Sequence, residues 1–229
     1  MTETEPRGAT ASMVIVAVAN QKGGVGKTTV AMQVGAELSR RHRVLVVDVD
    51  RQRSTVWWAD NARARLPFDF AGDQNPKLLA RMRELEYDFV LVDTPGSLED
   101  TAVLETVLDA ADYAVVPLTP EPLAVEPTMR TISRLIEPRG LRHAVLLNRI
   151  DPRIPSQLPT WRDLLDTTWG VPRFEGFLRQ YKVQAEAPIL GQLVTTLHDN
   201  RRTAGTIADV TRVGFELAEQ FAGTLSGRW

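Results

Sequence analysis

The sequence contains no cysteine among its 229 residues. This absence excludes disulfide bridges, thiolate zinc sites, iron–sulfur clusters and cysteine nucleophiles. Long hydrophobic runs are missing as well, since no stretch approaches the roughly 18 to 20 apolar residues of a membrane-spanning helix. Residues 1–12 are polar and carry no apolar signal-peptide core. We therefore expect a cytoplasmic chain that begins with a disordered N-terminal extension over residues 1–12.

Net charge is also small, at −2, but the charges are unevenly distributed. Between Met129 and Arg202 there are 12 lysines and arginines against 7 aspartates and glutamates, and the remainder of the chain is correspondingly acidic. A basic C-terminal half permits a surface that faces phosphates, although a solvated charged face produces the same pattern. Arg201 and Arg202 are the adjacent pair that we select as candidate DNA-binding residues.

Apolar segments alternate with amphipathic helical patterns along the chain. We predict strands at Val14 to Asn20, Arg43 to Asp48, Asp88 to Asp93, Tyr113 to Pro117 and Ala144 to Asn148. We predict helices at Thr28 to Arg40, Thr55 to Arg65, Leu98 to Ala110, Thr128 to Ile136 and Thr203 to Leu225. This alternation predicts an α/β fold with a mostly parallel, twisted sheet flanked by helices on both faces. Residues 13–229 are expected to form a single domain, with a loop marked by Pro152, Pro155 and Pro159.

A glycine-rich segment follows the first strand and leads directly into a helix. Its glycines allow backbone N–H groups to surround phosphate oxygens at the positive end of the helix. Lys27 would supply a charge to the β- and γ-phosphates, Thr28 a hydroxyl to Mg²⁺, and Thr29 would reach the α-phosphate. The sequence therefore predicts a P-loop that binds a nucleotide with magnesium. The predicted nucleotide-binding residues are Lys22, Gly23, Gly24, Val25, Gly26, Lys27, Thr28 and Thr29.

Two features make this motif more specific than a plain P-loop. Lys22 adds a second lysine at the start of the loop, and Gln21 stands where the plain pattern has glycine. The segment Lys22-Gly23-Gly24-Val25-Gly26-Lys27-Thr28-Thr29 resembles the deviant Walker A box of the ParA/MinD ATPases, most closely the short plasmid-type ParA proteins. The similarity continues through Val47-Asp48-Val49-Asp50, Asp93-Thr94-Pro95-Gly96 and Leu147-Asn148-Arg149, and covers roughly Val14 to Val194. Arg51 and Arg53 depart from it, because the family usually has proline and glycine there.

The resemblance implies roles for three carboxylates and for the end of a strand. Asp50 would position the attacking water, while Asp48 and Asp93 would join Thr28 around Mg²⁺. Asn148 and Arg149 would lie at the base of the nucleotide. The catalytic residues implied are Lys22, Lys27 and Asp50, and the cofactors are ATP and Mg²⁺.

Lys22 also carries an implication for assembly. The matching lysine of the family crosses into the partner subunit of an ATP-bound sandwich dimer, which predicts a homodimer that depends on ATP. The chain has only four lysines, and two of them lie in this loop, which favours a specific need for lysine there. By the same resemblance the partners are nonspecific DNA and a ParB-like adaptor protein, with a nucleoid-associated location and weak ATPase activity until the adaptor stimulates it.

Other members of the wider superfamily remain alternatives. The absence of cysteine excludes electron-transfer iron proteins and iron–sulfur carriers. A membrane-cycling MinD-like ATPase needs a basic amphipathic terminal helix, whereas acidic residues outnumber Arg212 on the last predicted helix, so no membrane partner is expected. A metabolic P-loop enzyme that uses ATP to activate a small molecule is still possible, although no substrate pocket is recognisable in the sequence.

Overall fold

The computed structural model describes residues 13–62, 66–72, 75, 81 and 83–225. Six parallel strands in these ranges form a sheet in the order β3-β2-β4-β1-β5-β6. The strands are β1 Val14–Val18, β2 Val44–Asp48, β3 Asp69–Gly72, β4 Phe89–Asp93, β5 Tyr113–Leu118 and β6 His143–Leu147. The predicted fold class, a parallel sheet with helices on both faces, is confirmed.

Helices connect the strands and close the C-terminal end of the described chain. They are α1 Lys27–Leu38, α2 Ser54–Asn61, α3 Thr101–Ala110, α4 Pro122–Thr131, α5 Gln157–Asp163, α6 Lys182–Leu190, α7 Ala204–Glu219 and α8 Ala222–Leu225. Short 3₁₀ turns occur at Leu98–Asp100, Glu137–Arg139 and Val194–Thr196, and π-helical turns extend α4 through Ile132–Ile136 and α5 through Leu164–Trp169. In the described ranges, no helix has both the length and the apolar composition that crossing a bilayer requires.

The central strand β1 shows why the sheet is covered on both sides. Val14, Val16 and Val18 pack with buried residues of α1 and α7, while Ile15 and Ala17 pack with α3 and α4 on the other face. All five residues are fully buried, as expected for a parallel strand between two helical layers. Because every strand of a parallel sheet ends at the same edge, the loops after β1, β2, β4 and β6 meet there.

The five predicted strands are all present, with ends within two residues of the predictions. The sequence patterns missed β3, α5 and α6. The loop predicted at Pro159 was wrong, because α5 begins at Gln157 and Pro159 is its third residue. A proline is tolerated there because the first N–H groups of a helix have no intrahelical acceptor.

Three of the five predicted helices differ most from the observed ones. The helix predicted to end at Arg65 ends at Asn61, and residues 63–65 lie outside the described ranges, as does the predicted extension over residues 1–12. The helix predicted from Thr128 begins at Pro122, which occupies a favourable first-turn position. The last helix is interrupted between Glu219 and Ala222.

Candidate nucleotide site

The P-loop connects β1 to α1 through two glycines in the left-handed region. Gly24 has φ 80° and Gly26 has φ 92°, conformations that residues with a side chain rarely adopt. At the start of the loop, the side-chain amide of Asn20 donates to the Pro117 carbonyl and to the Thr128 hydroxyl, at 2.9 and 2.8 Å. The loop is therefore fixed to β5 and α4 before it turns towards α1.

The two lysines of the loop occupy different environments. Lys27, the first residue of α1, is 7% exposed, and its ammonium donates to the Lys22 carbonyl at 3.4 Å. Burial lowers the pKa of Lys27, and the nearby Asp93 and Asp50 carboxylates oppose that change. The side chain of Lys22 does not line the cleft above the loop, whereas Lys27 does. Of the two lysines, only Lys27 therefore lines this cleft.

Asp93, the last residue of β4, lies between α1 and α2. Its Oδ2 atom accepts hydrogen bonds from the Thr28 hydroxyl at 2.7 Å and from the Thr55 hydroxyl at 2.5 Å. The side chain is 1% exposed, and burial raises its pKa to about 7. Its Oδ1 atom accepts no hydrogen bond from any residue that the structure describes. A buried carboxylate oxygen without a partner is costly unless a ligand satisfies it.

This donor set suits a magnesium ion that keeps most of its own water. Magnesium sites typically combine one or two carboxylates with water and substrate phosphates, and rarely use a full protein cage. In the described ranges, no three His, Asp or Glu side chains cluster in a way that could hold a metal. Magnesium needs only one or two protein ligands in such a site. The free oxygen of Asp93 and the Thr28 hydroxyl beside it could serve as these ligands, directly or through water.

Asp48, at the end of β2, is occupied by backbone amides. Its Oδ1 accepts from the Asp50 N–H at 2.9 Å, and its Oδ2 accepts from the N–H groups of Thr55 and Val56, both at 3.1 Å. Burial raises the pKa of Asp48, and these hydrogen bonds act in the opposite direction. The carboxylate therefore satisfies free N–H groups at the start of α2, as a helix cap does. Its predicted place beside magnesium stays a prediction.

A tight turn follows Asp50. The Arg53 N–H donates to the Asp50 carbonyl at 3.0 Å, and the Gln52 N–H donates to Asp50 Oδ1 at 2.9 Å. Asp50 lines the cleft, and this bond leaves its second carboxylate oxygen to act there. Arg53 has φ 52°, a left-handed conformation that a residue with a side chain adopts at some cost. At the tip of the turn, Arg51 forms an ion pair with Asp100.

The cleft extends from the P-loop towards α2 and α6 and has a volume of about 670 Å³. Trp57, Pro188 and Arg149 also line the cleft, and they offer apolar and planar groups. Asn148 does not line the cleft, because its side-chain amide is buried and donates to the Val25 carbonyl at 2.7 Å. Arg149 thus lines the cleft, whereas Asn148 holds the P-loop. The base-binding role predicted for both residues stays a prediction.

Sequence reasoning missed two residues of this site, Thr55 and Trp57. Thr55 contacts Asp93 across 38 positions of sequence, and no local motif indicates that contact. Trp58, next to Trp57, is buried, and its indole donates to the Gln192 carbonyl. Trp57 is the one that is 50% exposed at the cleft.

The basic segment that ends at Arg202 is less basic in effect than its composition indicates, because most of its arginines have carboxylate partners. The ion pairs are Arg130 with Glu126, Arg139 with Asp109, Arg153 with Asp151, Arg162 with Glu175, Arg173 with Asp166 and Arg179 with Asp209. Arg201 and Arg202 are exposed in the turn before α7, and neither has an ion-pair partner in the described part of the chain. The candidate phosphate-facing surface is therefore narrower than the sequence indicated.

A P-loop at the carboxyl edge of a parallel sheet, with a buried lysine, a threonine and a strand-end aspartate around it, defines a nucleotide-binding protein of the P-loop class. Residues 16–225 match the family model described as the CobQ/CobB/MinD/ParA nucleotide binding domain. The chain belongs to this family. The predicted resemblance to the ParA/MinD ATPases is thereby confirmed.

Individual proteins are also similar to this chain. The chain is 43% identical to a maintenance of carboxysome distribution protein A of Gloeobacter kilaueensis, over 89% of this chain and 93% of the relative. It is 32% identical to the protein of the same name from Halothiobacillus neapolitanus, over 82% and 90%. A putative plasmid partition protein of Borrelia burgdorferi bound to AMPPNP superposes with a TM-score of 0.71 at 18% identity, covering 91% of this chain and 99% of that one. The last similarity concerns the fold alone.

Proposed function

We propose that the protein is an ATP-dependent positioning ATPase whose ATP-bound homodimer associates with nonspecific DNA. Hydrolysis to ADP, stimulated by an adaptor protein of the ParB type, separates the dimer and resets the cycle. The observation that carries the proposal is the division of labour in the P-loop, where Lys27 is buried at the cleft of its own chain and Lys22 does not line it. A second lysine in the loop that does not line the cleft of its own chain is suited to a partner's nucleotide.

The roles of the two lysines follow from the charge that develops during phosphoryl transfer. Positive charge near the transferred phosphate stabilises the transition state. Lys27 contributes this charge within one subunit, because it begins α1 and lies close to the loop after β4. Lys22 contributes it to the neighbouring subunit, so that dimerisation depends on a bound triphosphate. Assembly and catalysis are then coupled through one residue.

The carboxylates complete the site. Asp50 orients the attacking water with the oxygen that its turn leaves available. Thr28 and Asp93 hold magnesium, which supplies positive charge to the β- and γ-phosphates. Asp48 takes part in the magnesium environment mainly by fixing the start of α2, which in turn carries the Thr55 hydroxyl to Asp93. Arg149 contacts the base, and Asn148 supports that end of the site from behind the loop.

The cargo is proposed to be a protein assembly. Two relatives that cover most of this chain carry names that refer to carboxysome distribution. A carboxysome, positioned over the nucleoid through an adaptor, is therefore the cargo that we infer. Exposed Arg201 and Arg202 would contribute DNA phosphate contacts in each subunit, and a dimer would double these contacts on one duplex.

The test is DNA affinity against salt concentration with ATP, with ADP and without nucleotide. If each subunit neutralises about two or three phosphates, the ATP state should give a log–log slope of roughly −4 to −5, and the ADP state about half of that. Equal affinity in all three states would contradict the proposed switch. If the protein bound no DNA in the presence of ATP, the surface on which it acts would be a membrane or a protein instead of DNA. Rapid turnover with a small substrate, unaffected by DNA, would indicate a metabolic enzyme.

A further inference from the structure

A carboxylate forms part of the wall of the proposed ATP cleft. Asp100 lines the cleft beside Gly96 and Ser97, on the loop that follows β4. Its side chain is only 11% exposed, so water screens its charge poorly. A negative charge in this position repels a polyanionic ligand, and it repels a triphosphate more than a diphosphate.

Asp100 is also held in place. The neighbouring Thr101 begins α3, and its hydroxyl accepts a hydrogen bond from the Gln21 side chain of the P-loop at 3.1 Å. The Asp100 N–H donates to the Ser97 carbonyl, which closes the short helical turn before α3. The carboxylate therefore belongs to a framework attached to the P-loop and stays at the cleft.

Arg51 forms an ion pair with Asp100. It lies at the tip of the turn between Asp50 and Arg53, and its Nε atom is 3.1 Å from Asp100 Oδ1. The Arg51 side chain is 71% exposed and does not itself line the cleft. The guanidinium thus contributes to the cleft mainly by cancelling the charge of the carboxylate that does line it. Because the Arg51 side of this pair is largely in solvent, the pair adds little stability.

We infer that Arg51 is a specificity-determining residue that neutralises Asp100, so that the cleft does not discriminate against ATP in favour of ADP. The inference rests on the proposed binding of ATP in this cleft. Without Arg51, the charge of Asp100 would act on the phosphates, and the loss of affinity would be larger for ATP. If the Asp100 carboxylate were removed as well, its charge would no longer repel the phosphates, and the affinity for ATP would return. Electrostatic repulsion alone therefore fixes the direction of each change in nucleotide affinity.

The experiment compares Arg51→Gln, Asp100→Asn and the double variant by equilibrium titration with Mg²⁺–ATP and Mg²⁺–ADP. Arg51→Gln should weaken ATP binding about three- to tenfold and ADP binding less. Asp100→Asn should bind ATP at least as well as the unaltered protein, and the double variant should return to within about twofold of it. Thermal melts should show the three variants to be as stable as the unaltered protein.

Arg130→Gln serves as the matched control, because Arg130 pairs with Glu126 on α4 and does not line the cleft. It should leave both affinities unchanged. Unchanged ATP affinity in Arg51→Gln, or a loss that persists in the double variant, would overturn the inference while leaving the proposed function intact. If the unaltered protein bound no ATP, the proposed function would fail, and the inference with it.

Discussion

The side-chain amide of Asn148 lies where a side chain on Gly26 would begin. A methyl group on Gly26 would lie 2.2 Å from the Asn148 Nδ2 atom, which itself donates to the Val25 carbonyl at 2.7 Å. The end of β6 and the P-loop therefore fit together without space for a Cβ atom. The conformation of the phosphate-binding loop depends on a residue more than a hundred positions away.

Asn148→Ala should lower the free energy of unfolding by about 1 to 3 kcal/mol, because it leaves the buried Val25 carbonyl without its donor. Chemical denaturation measures this change, and nucleotide affinity should fall with it. Asn61→Ala is the control, since the Asn61 amide makes only a long 3.4 Å contact with the Pro188 carbonyl. A similar loss in both variants would argue against a specific role for the Asn148 contact.

Lys27→Ala should abolish nucleotide binding, because the cleft then lacks the buried cation that faces the phosphates. Lys22→Ala should retain ATP binding but lose ATP-dependent dimerisation and turnover. Titration and light scattering distinguish the two outcomes. Lys182→Ala, on the exposed surface of α6, should affect neither. Normal dimers of Lys22→Ala with ATP would remove the role of Lys22 in the partner's site.

Asp50→Ala should trap the ATP-bound dimer, because the attacking water loses its orienting carboxylate while the phosphate contacts remain. Gel filtration with ATP should show a long-lived dimer that the unaltered protein loses through hydrolysis. Asp50→Asn should behave in the same way, since its amide oxygen can still accept the Gln52 N–H. If only the alanine variant accumulated as a dimer, the turn and not the carboxylate would be responsible.

Replacing Arg201 and Arg202 together by glutamate should weaken DNA binding for every sequence and reduce the salt slope, with ATP-dependent dimerisation unchanged. The matched control replaces Arg40 and Arg41, an adjacent exposed pair after the end of α1, by glutamate. Both double variants change the net charge by the same amount. An equal loss of DNA binding in the two would show that net charge, and not a surface at Arg201, determines affinity.

Arg53→Gly should raise the free energy of unfolding by about 0.5 to 1 kcal/mol, because Arg53 has φ 52° and glycine adopts that conformation without a steric cost. Arg212→Gly should have the opposite effect, a loss of about 1 kcal/mol, since it places glycine on the exposed side of α7. Denaturation of both variants gives the two signs directly. A loss of stability in Arg53→Gly would mean that contacts of the Arg53 side chain outweigh the backbone term.

Part of the site was predictable because its signals are local. The glycines that adopt positive φ, the lysine that begins α1 and the aspartate that ends β4 all lie within short segments of recognisable pattern. The partners of these residues were not predictable. Thr55 reaches Asp93 and Arg51 reaches Asp100 only because the loops after β2 and β4 meet at one edge of the sheet.

The sequence by itself determined the order of strands and helices, the two-sided burial of the sheet and the P-loop, because apolar periodicity and glycine act over a few residues. The tertiary structure alone decided which basic side chains among the described residues remain without a carboxylate partner and so available to bind phosphates. Arg139 with Asp109 and Arg179 with Asp209 are pairs separated by 30 residues, and they neutralise part of the positive excess of the segment between Met129 and Arg202. Charge acts through space, so its effect depends on which distant segments the sheet brings into contact.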